Sequence, residues 1–580
     1  MMFVGIRAML LLISIGFSSM AFSATTPLSL LVKQCLQLPP LSTGLMSFPL
    51  DSAQDVDTLA ERMTQLEHQL LSFYNIKDRV NYYKQFPIRN DDKESLLNCQ
   101  FYLSDSLQHF VLSDGFTALL PQLLNASDNE LAQLGQRLYR LLYNQQARET
   151  KSQLHTAQAA FKQGLASQAL SLNFNDKRCQ LPQSDNAALP DKIKSSSAFN
   201  QSIASYLLKQ TDPNCRKTIW QAYQARTIER NTPILNTIVD IQNAYAKKKG
   251  FNDYASLQTS TQMLYSPELV NAFLDSQTHS INISPWNIGM ALKKAKKSPF
   301  TALSSNDFLT QIYQALMPYG IRVEAITPHI HRVWLNGRLL GELFISSANQ
   351  FAYQPIRHLV VGQQFGQIEL KVKKTVSSYH AAQKIIQVVA MAINDFSQGS
   401  HYYFNNTLGE THDSANIGQY WLTYALTQSL IGKPLAGSRD AILQAYSKQL
   451  AVFRAKVALS TYQNNPQTKV NYLSQAFVNA FGDTWPQVNN YPVSFSAIAD
   501  EGPLYYHSLW QSSLGQYLYH SFQSCYAPKT LFNALVTNEM GVKLTDRLSH
   551  LLNMPITPYG LIQKMQQNSP LACSRRRSTH

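Results

Sequence analysis

From about 51 to 170 the chain places apolar residues three and four positions apart between polar ones, the spacing that turns one stripe of an α-helix towards a core. Leu59, Met63, Leu66, Leu70 and Phe73 form one such stripe, and Leu131, Leu134, Leu138 and Leu141 form another. Ser127 with Glu130 three residues on predicts a capping box ahead of the second stripe. Asp212-Pro213 and Ser266-Pro267 each set a capping side chain before a first-turn proline, so helices are expected to start there. Three helical stretches are expected between 215 and 276. Residues 174–197, rich in Asn, Asp, Pro and Ser, mark the expected boundary between lobes.

The pattern changes between 321 and 370, where alternation and β-branched residues take over in Ile321-Arg322-Val323, His331-Arg332-Val333-Trp334, Leu343-Phe344-Ile345 and Ile368-Glu369-Leu370. Asn336-Gly337 falls between two of these runs, and that dipeptide suits a tight hairpin turn. A small antiparallel sheet of three to five strands, set in a helical protein, is therefore expected. After 377 the helical pattern returns and continues to about 567.

With 580 residues, 44% hydrophobic and 15% charged, the chain is globular in composition, and it has no low-complexity block or short-period repeat. Residues 1–23 read as a secretory signal: Arg7, an apolar run from Ala8 to Phe17, and the small-x-small site Ala21-Phe22-Ser23. The run is shorter than the ~20 residues of a membrane-spanning helix. An exported protein, periplasmic or secreted, with no stable membrane span after cleavage is expected. Six cysteines in an oxidising compartment predict disulfides, with Cys179 to Cys215 and Cys525 to Cys573 the nearest neighbours. The net charge of +14 is spread in short runs, Lys247-Lys248-Lys249, Lys293 to Lys297 and Lys371 to Lys374, with Arg575-Arg576-Arg577 in a basic tail, 571–580. No nucleic-acid motif accompanies them, so nucleic acid is not an expected partner.

The run Arg226, Arg230-Asn231, Ile234-Leu235, Ile238, Ala244, Lys249-Gly250-Phe251, Tyr254-Ala255, Leu257, Met263, Ser266-Pro267-Glu268-Leu269-Val270 and Phe273-Leu274 resembles a segment of the thimet oligopeptidase family of zinc peptidases, which includes oligopeptidase A and dipeptidyl carboxypeptidase. Gly337-x-x-Leu340-Gly341 followed by Leu343-Phe344 is similar to the hairpin ahead of that family's metal helix. Tyr505-Tyr506-x-Ser508-Leu509-Trp510 is similar to its C-terminal Tyr-Tyr-x-Tyr-Leu-Trp segment. The resemblance implies a mainly α, two-lobed helical zincin-like oligopeptidase fold with a deep central channel and the small sheet lining it. In that reading 24–197 form an N-terminal helical region and 198–570 a degenerate peptidase-like region.

The family's chemistry needs His-Glu-x-x-His on one helix and a glutamate on the next, because residues four apart share a helical face and hold one zinc while the glutamate orients water. No His-Glu-x-x-His occurs in this chain. The flanking patterns set the helix 381–396 in that place, with Gln387 and Met391 where the histidines belong and Val388 where the general base belongs. Asp413-Ser414-Ala415-Asn416 matches the family's Asp-Phe-x-Glu, so Asn416 stands for the third ligand. Amide, thioether and amide lack the donors that hold Zn²⁺, and Val388 takes no proton from water. No zinc is expected, and a soft metal at Met391 would want further sulfur or imidazole ligands. The family's histidine and Gly-Gly-Tyr loop is represented by residues 496–502.

Elsewhere, His329-x-His331 lacks an evident carboxylate partner, and Glu410-Thr411-His412-Asp413 reads as a surface loop beside the old site. No Gly-x-Ser-x-Gly element is present. The leading expectation is a catalytically inactive protein that binds oligopeptides in an inherited channel, with Tyr505 and Tyr506 either gripping peptide backbone or packing in the core. An active zinc-dependent metalloendopeptidase is one alternative, which stoichiometric zinc would favour. A structural or interaction protein using its outer surface is the other. The natural ligand and the oligomeric state are not legible in the sequence.

Overall fold

The computed structural model describes residues 26–41, 56–143, 148–166, 179, 196–407, 412–464, 469–539 and 542–571. The expected signal 1–23, the basic tail and most of the boundary region 174–197 lie outside them. The chain forms two compact units, Met1–Leu119 and Leu120–His580. Among the described residues helices dominate both.

In the first unit the Val56–Tyr83 helix buries Met63, Leu66, Leu70 and Phe73, as its periodicity predicts. Its polar Glu67 is also fully buried and accepts a hydrogen bond from the Tyr74 hydroxyl at 3.0 Å. A Cys35–Cys99 disulfide, with Cα atoms 5.8 Å apart, ties the Pro27–Leu36 helix to Asn90–Val111.

The second unit holds one large core that runs from Leu154 to Leu571. Trp220, Trp286, Trp485 and Phe477 form an aromatic cluster in it, with Trp220 and Trp485 centroids 4.7 Å apart. The Cys179–Cys215 disulfide agrees with the nearest-neighbour expectation. Cys525 is also disulfide-bonded, and its expected partner Cys573 lies outside the described residues.

Helix starts follow the local signals at two places. Asp212 accepts from the Asn214 amide ahead of Pro213–Ala225, and Ser266 accepts from the Leu269 amide ahead of Pro267–Ser276. The expected capping box at Ser127 is corrected by the structure. Asp128, one residue closer to the Asn129–Tyr143 helix, accepts from the Glu130 and Leu131 amides at 2.9 Å. Glu130 instead reaches residues 400–405: its carboxylate accepts from the Ser400 hydroxyl, the His401 amide and the His401 ring.

Among the described residues seven strands form two sheets: β1 (Leu303–Ser304), β2 (Ile321–Thr327), β3 (Ile330–Leu335), β4 (Arg338–Ser347), β5 (Ala352–Arg357), β6 (Gly366–Val372) and β7 (Thr375–Val376). β1 pairs with β7, and the other five are ordered β2-β3-β4-β6-β5. The five-stranded sheet is antiparallel except at one pairing, where β6 runs parallel to β4 because β5 and β6 fold back together as a hairpin on its far side. Asn336 and Gly337, with φ of 51° and 90°, make the tight turn between β3 and β4. Pro355 is tolerated in β5 because that strand lies at the sheet edge.

Candidate functional site

The helix that stands where the resemblance sets the metal helix is Tyr379–Ser397, capped by Ser378, whose hydroxyl accepts from the Ala381 amide at 3.2 Å. It packs on β4, β5 and β6, and the contact explains Gly341. A Cβ at Gly341 would collide with the Phe396 ring and lie 2.7 Å from the Gly366 carbonyl, and one at Gly366 would lie 2.7 Å from Phe396. Two glycines on neighbouring strands thus seat one phenylalanine, which fixes the helix against the sheet.

Twelve of the nineteen helix residues are buried, Val388, Val389, Ala392, Ile393 and Phe396 among them. The open positions at helical spacing form one stripe: His380, Lys384, Gln387, Met391 and Asp395. Gln387 and Met391 therefore share an accessible face, as the His-x-x-x-His spacing requires of the positions they occupy. Val388 points into the core at 6% exposure. The Gln387 side-chain carbonyl accepts from the Lys384 ammonium at 3.1 Å.

The third expected ligand position, Asn416, follows a loop that is anchored by Asp413. Its fully buried carboxylate accepts from the Met263 amide at 2.8 Å, the Leu264 amide at 2.9 Å and the Tyr506 hydroxyl at 3.1 Å, while its own amide donates to Gln262. Burial pushes the Asp413 carboxyl up, and the three donors pull it back down. Ala415, two residues on, accepts from the Gln398 side chain at 3.1 Å, which links the loop to the end of the Tyr379–Ser397 helix. Asn416 is half-buried at the N-cap position of Ile417–Leu430 but makes no side-chain capping bond. That helix packs against both Tyr379–Ser397 and His507–Phe522. A Cβ at Gly515 would lie 2.8 Å from the Trp421 amide, so the small residue permits the close approach.

Tyr506 is 1% exposed with its hydroxyl committed to Asp413, which places it in the core and leaves it no free surface for a peptide in this conformation. Tyr505 is half-buried and packs edge-on to Phe495, and Arg454 donates to the Tyr491 hydroxyl at 2.9 Å. His507, which the sequence reading passed over, lies beside His412. Burial first, and then His412, push His507 down to about 4, so it is neutral at physiological pH, and its Nε2 has no partner among the described residues. Asp395 was also missed, although its spacing of four from Met391 carries the signal.

The other ligand candidates are committed or undescribed. His331 is buried with Nδ1 2.9 Å from the Tyr313 hydroxyl, and His329 Nδ1 donates to the Ile345 carbonyl. Glu410 and Thr411 lie outside the described residues. Among the described residues no group of three His, Cys, Asp or Glu side chains is placed to hold a metal. The donor set at Gln387, Met391 and Asn416 does not fit the zinc that the resemblance implies.

Comparison with known proteins gives one family segment. No curated protein sequence matches. A solved structure of a Pyrococcus furiosus carboxypeptidase, in an apo-Mg form, aligns over 90% of this chain and 99% of its own, with 8% identity and a TM-score of 0.43. The sequence model of Peptidase family M3 matches residues 206–319, a stretch that contains the whole motif run from Arg226 to Leu274. Within that stretch Gly250, at φ 85°, ends the Ile228–Lys248 helix, and Asp253 caps Tyr254–Thr259. Buried Asn231 donates to the Phe161 carbonyl, and Met263 and Leu264 anchor Asp413. The chain is thus similar to Peptidase family M3 through residues 206–319, and that similarity reaches the candidate site through the backbone of Met263 and Leu264.

Proposed function

We propose that this protein binds oligopeptides without hydrolysing them by the zinc chemistry of its relatives. The observation that carries the reading is the identity of the side chains at the ligand positions. Gln387 and Met391 occupy the open face of the Tyr379–Ser397 helix, Val388 is buried, and Asn416 begins the next helix. Zinc polarises water only when imidazole, thiolate or carboxylate holds it, and a base must take the proton. An amide, a thioether and a valine supply neither function. They do suit an extended peptide, since the Gln387 amide offers hydrogen bonds to backbone and the Met391 thioether packs adaptably against apolar side chains.

The place of action we infer is extracytoplasmic. The two described disulfides support an oxidising compartment, and among the described residues no helix is long and apolar enough to cross a membrane. The test incubates the disulfide-intact protein with a mixed library of short peptides, with and without added zinc, and reads both retention and cleavage by mass spectrometry. Peptides retained intact in both conditions are the expected outcome. Cleavage that requires zinc and persists through purification to constant specific activity would overturn the proposal, as would the absence of any retained peptide.

A further inference from the structure

The open stripe of the Tyr379–Ser397 helix is polarised. His380 and Lys384 stand towards its N-terminal end, and Asp395 stands in its last turn. That order opposes the helix dipole, which favours cations near the C-terminus and anions near the N-terminus, so helix stability does not account for Asp395. Packing does not account for it either. Asp395 is exposed, yet the buried Asn394 and Phe396 flank it, and among the described residues its carboxylate accepts no hydrogen bond and forms no ion pair. Desolvation by the surrounding protein raises its carboxyl to about 7, with no charged neighbour contributing. At the other end Lys384 donates to Gln387 and has no carboxylate partner among the described residues.

Eleven residues separate Lys384 from Asp395, about 16 Å along a helix rising 1.5 Å per residue. An extended peptide rises ~3.3 Å per residue, so about five residues span that distance. Gln387 and Met391 lie between the two charges. We infer that this stripe is a bipolar peptide site, in which Asp395 takes the ligand's terminal ammonium and Lys384 its terminal carboxylate. The site selects short zwitterionic peptides and fixes their direction along the helix. This rests on the peptide-binding reading above and adds to it the ligand class, the polarity and the length.

The experiment is isothermal titration of the full disulfide-intact chain with a pentapeptide carrying free ends, its N-acetyl form and its C-amide form, each against wild type, Asp395→Asn and Lys384→Met. Both substitutions are at exposed positions, and circular dichroism checks that the fold is kept. N-acetylation is expected to weaken binding to wild type by about tenfold or more, as loss of a charge-assisted bond should, and to make little further difference in Asp395→Asn. C-amidation is expected to behave likewise with Lys384→Met. Acetylation that costs the same in wild type and Asp395→Asn, with the free pentapeptide bound equally by both, would overturn the bipolar site while leaving peptide binding intact. No heat from any peptide in wild type would overturn both readings.

Discussion

Replacing Tyr506 by Phe removes one hydroxyl from the core and keeps the ring, so it isolates the bond that ties the C-terminal Tyr-Tyr segment to the Asp413 loop. The hydroxyl donates at 3.1 Å to a fully buried carboxylate that also receives the Met263 and Leu264 amides. A hydrogen bond to a charged group is worth about 1.5–3 kcal/mol, and the variant leaves the carboxylate one donor short in a place water does not reach. The loss should appear first in local opening around the three partners. At about 1.4 kcal/mol per tenfold, amide exchange at Met263 and Leu264 should accelerate roughly 10- to 150-fold, because those two hydrogens are released only when the loop opens. Hydrogen exchange followed by mass spectrometry, with peptides covering 258–268, reads this directly. The hydroxyl is also one of the groups that lower the Asp413 carboxyl, so in the variant that group titrates higher than in wild type. Asp413→Ala should open the same amides further, since it leaves two backbone donors and the phenol unpaired. Unchanged exchange in Tyr506→Phe would refute the account of Asp413 as the fastener between the family-like segment and the site.

Three further outcomes follow from particular contacts. Gly341→Ala drives a methyl into the Phe396 ring and to within 2.7 Å of the Gly366 carbonyl, so it should cost about 1–3 kcal/mol in chemical denaturation, partly recovered by Phe396→Leu; an unchanged transition would dismiss the seat. Desolvation by the surrounding protein holds the exposed Asp395 carboxyl at about 7, above its unfolded value of about 3.9, so its contribution is complete below the unfolded value and is lost as pH rises through 7. A carbon-13 titration should show that midpoint, Asp395→Asn should remove this part of the pH dependence, and a midpoint near the unfolded value would refute the desolvation of that carboxyl. The hydrogen bond to Glu130 raises His401 against its own desolvation, Glu539 adds to the rise and Arg338 opposes it. The stability of this clasp is therefore present below the ordinary imidazole value of about 6.5 and is lost as pH rises through the higher folded value. Proteolysis within the Asn129–Tyr143 helix should be faster at pH 8 than at pH 6, and Glu130→Gln should abolish the difference; equal rates in wild type would exclude the clasp.

Legibility in the sequence tracked the range of the interaction. Asp212-Pro213, Ser266-Pro267 and Asn336-Gly337 are settled within four residues of chain, and each forms what its local chemistry predicts. In the two helical stripes Met63, Leu66, Leu70 and Phe73, and Leu131, Leu134 and Leu138, are buried where their spacing says, while Leu59 is half-buried. Glu130 failed as a capping partner because its carboxylate has a better use 271 residues away, at His401, which no local pattern contains. The parallel pairing of β4 with β6 was equally hidden, since it depends on β5 folding outside β6 and β5 itself carries a proline that argues against a strand. At the site, the two positions facing solvent were legible from the i, i+4 spacing alone. Tyr506 was not, because its burial depends on a carboxylate from residue 413, and Asp395 went unweighed because the motif that directed attention ends one turn before it.

The four positions that the resemblance matches to the zinc site do not carry equal structural weight, and that bears on the proposal that the chain does not hydrolyse peptides. Gln387 and Met391 lie on an open stripe, where imidazoles would be accommodated with little strain, and Asn416 makes no capping bond that a glutamate would forfeit. Val388 differs, being 6% exposed on a helix whose Ile385, Val389 and Ala392 are fully buried. A glutamate there would bring a carboxylate into an apolar interior where an unpaired charge costs several kcal/mol, so it would either stay protonated or force the helix to turn. Neither outcome gives a base beside a metal at the 387 and 391 positions. The fastenings around the site, Asp413 with its three donors and Phe396 between two glycines, fix the helix in the orientation that buries position 388. On the proposed reading, substituting zinc ligands at 387, 391 and 416 should therefore yield at most a metal site without a base, and zinc-dependent hydrolysis would in addition require repacking the helix against its sheet.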